Sequence, residues 1–212
     1  MKYEVVRFKN LRLALNEIAQ FIREPLHLQI GKPIPRFGGL RPRELLANWL
    51  ICAAFNAHNN SPDRLTFIAS KGRDDFFGDG ILQDTATGNS FPTEHVIVPK
   101  SKAGKTVDLQ VRILKAINDK NNKGGAAYAS GKTLVVFLND GTDAVWWPNR
   151  VTKGLPNPLH FGVVWVVGLQ SHGAQSGEYA YTVSMLELVE GSAPTFIIRT
   201  SDFDSWVVTR IQ

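Results

Sequence analysis

The stretch Gly78–Lys100, GDGILQDTATGNSFPTEHVIVPK, constrains the fold of this chain more than any other. Two runs rich in β-branched and apolar residues flank a short polar segment with a glycine at its centre. That pattern predicts a β-hairpin, with strands over Ile81–Thr85 and Phe91–Val98 and Thr87-Gly88-Asn89 supplying the turn. If the turn centres near Gly88, Asp79 to Ile81 lie across from Glu94 to Val96. Two carboxylates, Asp79 and Glu94, then meet at the open end of the hairpin. A close carboxylate pair suits a hard divalent cation such as Mg2+ or Mn2+, with water and a substrate phosphate completing its shell. The plainer reading is a loop aspartate and an outward-facing strand glutamate.

The rest of the chain must place this hairpin in a sheet. Lys2–Phe8 reads as a short strand. Asn10 is a candidate N-cap for a helix running to about Arg23, with Leu11, Leu15, Ile18 and Ile22 on one stripe. Pro25 ends it. The segment GKPIPRFGGLRPR follows, with Lys32, Arg36, Arg41 and Arg43 interleaved with Phe37. Its composition suits an arm that touches a phosphate backbone, and equally an exposed connector. Pro42 stands where a first helical residue would stand, and Glu44–Ala57 reads as a buried helix. Glu44 lies near its positive end, where the helix dipole favours a carboxylate. A strand over Leu65–Ser70 precedes the acidic, glycine-rich loop that leads into the hairpin.

After Lys100, the basic loop SKAGK (with Lys102 and Lys105) opens a helix from about Thr106 to Asn122, closed by Gly124-Gly125. On a wheel of ~100° per residue, Leu109, Ile113, Ala116 and Ile117 form its apolar face. Gln110 and Lys120 fall inside that face. A lysine there either snorkels its amine to the sheet edge or aims it at the hairpin carboxylates. Lys132–Asn139 and Phe161–Leu169 are nearly uninterrupted apolar runs, as expected of strands covered on both faces. The loop between them carries Trp146, Trp147 and Arg150, which either stack on nucleotides or plug the end of the sheet. Tyr179–Val189, Thr195–Thr200 and Ser205–Ile211 read as antiparallel strands. With no repeat or linker, the expectation is a single domain over 1–212: an N-terminal helix and basic loop (1–43), a core (44–170) and an antiparallel extension (171–212).

Composition narrows the classes. At 43% hydrophobic and 20% charged, the chain has the make-up of a soluble globular domain. The single cysteine, Cys52, excludes an internal disulfide and sits in the apolar run LLANWLICAAF, which points to a buried inert thiol. No run approaches the ~18 apolar residues of a membrane span, and the opening MKYEVVRFKN does not read as a leader. A cytoplasmic location is expected. The net charge of +5 is compatible with an anionic partner.

Several catalytic classes fall away. Ala126–Thr133, AAYASGKT, satisfies a loose phosphate-loop pattern. Such a loop must follow a strand and open a helix, and here the order is reversed. The five histidines (His27, His58, His95, His160 and His172) have no zinc-site spacing and no cysteine partner. His95 neighbours Glu94, but adjacent strand residues point to opposite faces. No nucleophile elbow of the serine hydrolases is present.

The order helix, strand, acidic hairpin, helix, apolar strand, over roughly Glu44 to Leu169, resembles the restriction-endonuclease-like, or PD-(D/E)XK, nuclease superfamily. The resemblance implies an α/β (α+β) fold, a central mixed sheet flanked by helices, with antiparallel C-terminal strands added to a nuclease-like core. It also implies metal binding by Asp79 and Glu94. The family's lysine two positions after the second acid is replaced here by Val96, and no proline precedes Asp79. Some members supply that lysine from the following helix, and Lys120 fits this exception, with Gln110 as a second polar contact. Glu44 matches a place where some members carry an additional metal-linked acid.

Two functions follow as expectations. One is a Mg2+- or Mn2+-dependent hydrolase of DNA phosphodiesters, with Lys32, Arg36, Arg41, Arg43, Lys100, Lys102 and Lys105 holding the backbone. The other is an inactive nuclease-fold protein that binds nucleic acid, a protein partner or a second copy of itself in a defence or toxin-control system. Neither involves a membrane.

Overall fold

The computed structural model describes residues 5–24, 31–70, 78–100, 107–139, 145–173, 177–187 and 192–212. The described residues form an α+β structure around one mixed sheet of nine strands, ordered in space as in sequence. The strands are β1 (Val6–Arg7), β2 (Leu65–Ala69), β3 (Ile81–Asp84), β4 (Ser90–Val98), β5 (Thr133–Leu138), β6 (Val163–His172), β7 (Tyr179–Leu186), β8 (Thr195–Ser201) and β9 (Ser205–Arg210). The helices are α1 (Leu11–Ile22), α2 (Pro42–His58), α3 (Leu109–Asn122), α4 (Gly125–Ala129) and α5 (Pro148–Lys153).

Neighbours from β1 to β4 run antiparallel, β4, β5 and β6 run parallel, and β6 to β9 are antiparallel again. Only the two parallel joins need crossovers, and these contain α3, α4 and α5. The C-terminal strands therefore continue the main sheet and do not form a second layer.

Period-two alternation divides the central strands between two cores. Val135, Phe137, Trp165 and Val167 face the core built with α1 and α2. Leu134, Val136, Val164 and Val166 face the core built with α3, α4 and α5. Every residue of β5 is buried, which is why its sequence reads as an unbroken apolar run. α2 is buried nearly all round because the sheet covers one side and α1 packs on another. Trp49 on α2 fills that layer: its indole N–H donates to the Leu11 carbonyl at 2.8 Å, and its ring meets Trp206 of β9 edge-on.

Asn10 caps α1, its side chain accepting from the Leu13 N–H at 2.9 Å. α3 begins at Leu109 under an Asp108 cap, and residues 101–106, including Lys102 and Lys105, lie outside the described residues. Two short helices escape the periodicity reading. α4 and α5 are five and six residues long, too short to display a stripe. The two tryptophans divide: Trp146 packs against the core under α3, α4 and α5, whereas Trp147 is half exposed at the start of α5, with the Arg150 guanidinium 4.7 Å from its ring centre.

The hairpin is present with a shifted turn. β3 ends at Asp84, and Ile81 pairs with Pro92. Asp84 itself moves the turn. Its carboxylate accepts from the Ala86 N–H at 2.9 Å and the Thr87 N–H at 3.3 Å, and Arg64 donates to its other oxygen at 3.1 Å. Those bonds fold the chain one residue earlier than the glycine alone implies. Arg64, first among several contacts, holds the Asp84 carboxyl below its ordinary value. A carboxyl depressed in the folded state stabilises the fold above its unfolded value, and that contribution is lost as pH falls through the folded value. Asp84→Ala is therefore expected to cost about 1–3 kcal/mol in urea unfolding at neutral pH. The gap from wild type should narrow as pH drops below 3.8. An unchanged gap on the acid side would contradict this role.

Candidate functional site

Glycines on both sides of Asp79 bring β3 against β4 beyond the last regular pair. Gly78 has φ +62° and bridges to Thr93, and a Cβ on it would sit 2.2 Å from the Thr93 carbonyl. Gly80 has φ +126°, and a Cβ there would sit 2.4 Å from the Asn48 amide nitrogen. Only glycine suits both positions. The Asp79 N–H donates to the Thr93 carbonyl at 2.6 Å, and the Asp79 carboxylate accepts from the His95 N–H at 3.1 Å. Asp79 is thus held along the edge of β4 where Glu94 leaves the strand. The residue before the aspartate is glycine where the nuclease pattern has proline. Here the glycine is required by the close approach of two backbones.

Glu94 rises on the α3 face of the sheet and is 5% exposed. Lys120, in the last turn of α3, places Nζ 3.0 Å from Oε2. Lys132, just before β5, places Nζ 3.1 Å from Oε1. The Tyr128 hydroxyl on α4 donates to Oε2 at 2.5 Å. Burial alone would raise the Glu94 carboxyl, but the Tyr128 hydrogen bond and the Lys120 charge more than offset it and leave it below its ordinary value. Burial, then the bond to the Glu94 carboxylate, push the Tyr128 phenol up to about 12, so it stays protonated at neutral pH. Burial opposes the charge of Lys120 too, but Tyr128 and Glu94 raise its amine above the ordinary value. The tyrosine ring lies beneath both ammonium groups, 4.3 Å from Lys132 and 5.5 Å from Lys120.

The other face carries a supporting layer. His95 points away from Glu94 and toward α2, where Nε2 lies 3.2 Å from the Asn48 Oδ1. The Asn48 amide N–H donates to the Asp79 carbonyl at 3.3 Å, so its oxygen is the acceptor for a His95 Nε2–H. Burial pushes the His95 imidazole down to about 4, which leaves it neutral at physiological pH. Asn48 therefore links α2 to the backbone of Asp79.

The remaining expected residues divide. Glu44 is buried, with one oxygen accepting the Arg41 N–H at 2.8 Å and the other 3.8 Å from the Arg43 guanidinium. It serves the first turn of α2. Arg43 is turned inward, its guanidinium lowered by burial and set in the field of Glu44 and Asp79. Arg36 is exposed but paired with Glu17. Lys32 and Lys100 are exposed. Gln110 is not brought to the pair. It sits in the first turn of α3 and bonds Asp108, ten residues and about 15 Å of helix from Lys120. The wheel identifies its azimuth but not which end of the helix overlies the acids.

Tyr128 and Lys132 have no separate signal in the sequence. Both lie in the AAYASGKT segment, whose phosphate-loop likeness is excluded by its context. A lysine directly before an apolar strand is the one trace of a buried ion pair. As donors, Asp79 and Glu94 offer hard carboxylate oxygens with no thiolate, and the nearby imidazole faces away; this chemistry fits Mg2+ or Mn2+. Among the described residues no cluster of three or more histidine, cysteine, aspartate or glutamate side chains is placed to hold a metal, and both oxygens of Glu94 are engaged by Lys120, Tyr128 and Lys132. No helix among the described residues is long and apolar enough to cross a membrane. Comparison with protein families, with curated proteins and with solved structures finds no match.

Removing one member of a buried charge cluster leaves the others uncompensated. Glu94→Ala is expected to destabilise the protein by about 3–5 kcal/mol, because the Lys132 ammonium, 7% exposed, loses its carboxylate. Asp79→Asn, in the half-buried turn before β3, is expected to cost much less. Thermal and urea unfolding of the two variants check this; equal losses would contradict the assignment of Glu94 as the centre of the cluster.

Proposed function

We propose that this protein is a divalent-metal-dependent nuclease of the PD-(D/E)XK type, cleaving phosphodiester bonds in DNA. The observation that carries the reading is the Lys120 ammonium on Glu94, contributed by the helix after the acidic hairpin. The nuclease pattern requires a lysine beside its second acid, and position 96, where the strand would supply it, is valine. Support comes also from the strand directions. An antiparallel run β2–β3–β4, preceded by α2 and followed by α3 and a parallel β5, has the element order of that core. On this reading β7–β9 are an extension of the core sheet.

Asp79 and Glu94 would hold the ion, which when bound lowers the pKa of a water and offsets charge on the scissile phosphate. The residues of the chain do the rest. Lys120 orients the attacking water and faces the negative charge that develops on the phosphate oxygens. Tyr128 holds the Glu94 carboxylate by a bond made only while the phenol is protonated. Asn48 holds the Asp79 backbone against β4. Lys32, Arg41 and Lys100 supply phosphate contacts, which make affinity fall with salt.

A second reading has its own support. Both oxygens of Glu94 already meet cations, which is the resting arrangement expected if the fold is kept for binding alone. The two readings part in one experiment. On the nuclease reading, Mn2+- or Mg2+-dependent cleavage of single- and double-stranded DNA is lost in Asp79→Asn and falls about 10²–10⁴-fold in Lys120→Met, with melting temperatures recorded for each variant. Cleavage that survives Asp79→Asn, or its absence from the wild type with both ions and both substrates, would reject the nuclease and leave the binding module.

A further inference from the structure

One carboxylate with two lysines is an asymmetric arrangement, and the two lysines are not equivalent. The Lys132 backbone is fixed at the entry to β5: its N–H donates to the Ala129 carbonyl and its carbonyl accepts from the Gly162 N–H, both at 3.0 Å. Its ammonium is 4.3 Å from the Tyr128 ring centre, and its side chain is 7% exposed. Lys120 comes from the last turn of α3, and its side chain is 15% exposed. It lines an open groove of about 380 Å³ with Val96, Ile97 and the charged side chains Arg112, Lys115, Asp119 and Lys123. The Lys120 amine has room to leave Oε2 along that groove, whereas the Lys132 amine is the more enclosed of the two.

We infer that Lys132 is the permanent counter-ion of Glu94 and Lys120 an exchangeable one, so that the Lys120 ammonium occupies Oε2 at rest and yields it when a divalent cation binds. This inference rests on the nuclease reading of the pair. Charge supports it. The acidic side chains gathered here are Asp79, Glu94 and Glu44, and the basic ones are Arg41, Arg43, Lys120 and Lys132. A dication added to that set enlarges its surplus of positive charge, which an ammonium free to swing toward an incoming phosphate relieves. Lys132 is then a positioning residue: it keeps Glu94 ionised and directed whether or not Lys120 is in place. Tyr128, bonded to the same oxygen as Lys120, keeps Oε2 from being left bare during the exchange.

The test is Mn2+ binding to the full chain, stripped with chelator, by calorimetry near neutral pH, together with melting temperatures without metal. Lys120→Met removes the competitor for Oε2 and is expected to bind Mn2+ about tenfold more tightly than wild type. Lys132→Met is expected to bind no more tightly than wild type and, without metal, to melt below Lys120→Met. Equal tightening in both variants would reduce the effect to general charge repulsion and overturn the inference. So would unchanged or weaker binding in Lys120→Met. Should Lys132→Met fail to fold, Lys132→Arg keeps the charge and is expected to keep wild-type affinity; a tenfold gain there would also overturn it. If wild type binds Mn2+ and Asp79→Asn does not, failure of these expectations leaves the metal site standing. If neither wild type nor Lys120→Met binds Mn2+, the metal reading fails and the inference with it.

Discussion

A glutamate buried in the sheet would be prohibitively costly without cations at its side, and Glu94 organises the protein around that demand. Its two counter-ions come from different elements, Lys120 from the end of α3 and Lys132 from the start of β5, with Tyr128 of α4 between them. Satisfying one carboxylate thereby fixes how the crossover helices sit over β4. The same requirement gathers Lys120, Tyr128 and Lys132 at the end of β5 where its apolar run 134–138 has not yet begun.

The second constraint is the close approach at Gly78 and Gly80. With no Cβ at either position, the backbone of Asp79 can lie against β4 on one side and Asn48 of α2 on the other. Asp79 is then reached from both layers of the molecule: α2 through Asn48, and the sheet through Thr93 and His95. The two acids thus answer to different supports, one to backbone contacts with β4 and one to side-chain charges on the α3 face.

Much of the architecture was legible because it is written in local periodicities. Leu11, Leu15, Ile18 and Ile22 mark the buried stripe of α1, and the structure adds only Ala14. The apolar runs of β5 and β6 announce strands covered on both faces, and both are. The hairpin was readable from its turn residues, but its end was not, because Asp84 folds the turn through its own side chain. α4 and α5 were not readable, being shorter than the window a period needs. Within the site, Asp79, Glu94 and Lys120 stand out as polar residues at conspicuous positions. Gln110 satisfies the same angular test and lies at the wrong end of the helix, since a wheel carries no information along the axis. Tyr128 and Lys132 belong to a stretch that resembles something else, and nothing local ties them to a strand more than thirty residues earlier.

By itself, then, the sequence determined the identity and rough extent of the main helices and strands, the presence of two acids at the mouth of a hairpin, and the inward azimuth of Lys120. These follow from interactions within a few residues of chain, where side-chain spacing and backbone preference act directly. Only the tertiary structure decided that the C-terminal strands prolong the sheet, that Lys120 overlies Glu94 while Gln110 does not, and that a second lysine shares the carboxylate. Those outcomes depend on which end of α3 crosses β4 and on where the parallel β5 starts. Both are set by the packing of two cores on opposite faces of one sheet, a balance summed over residues far apart in the chain.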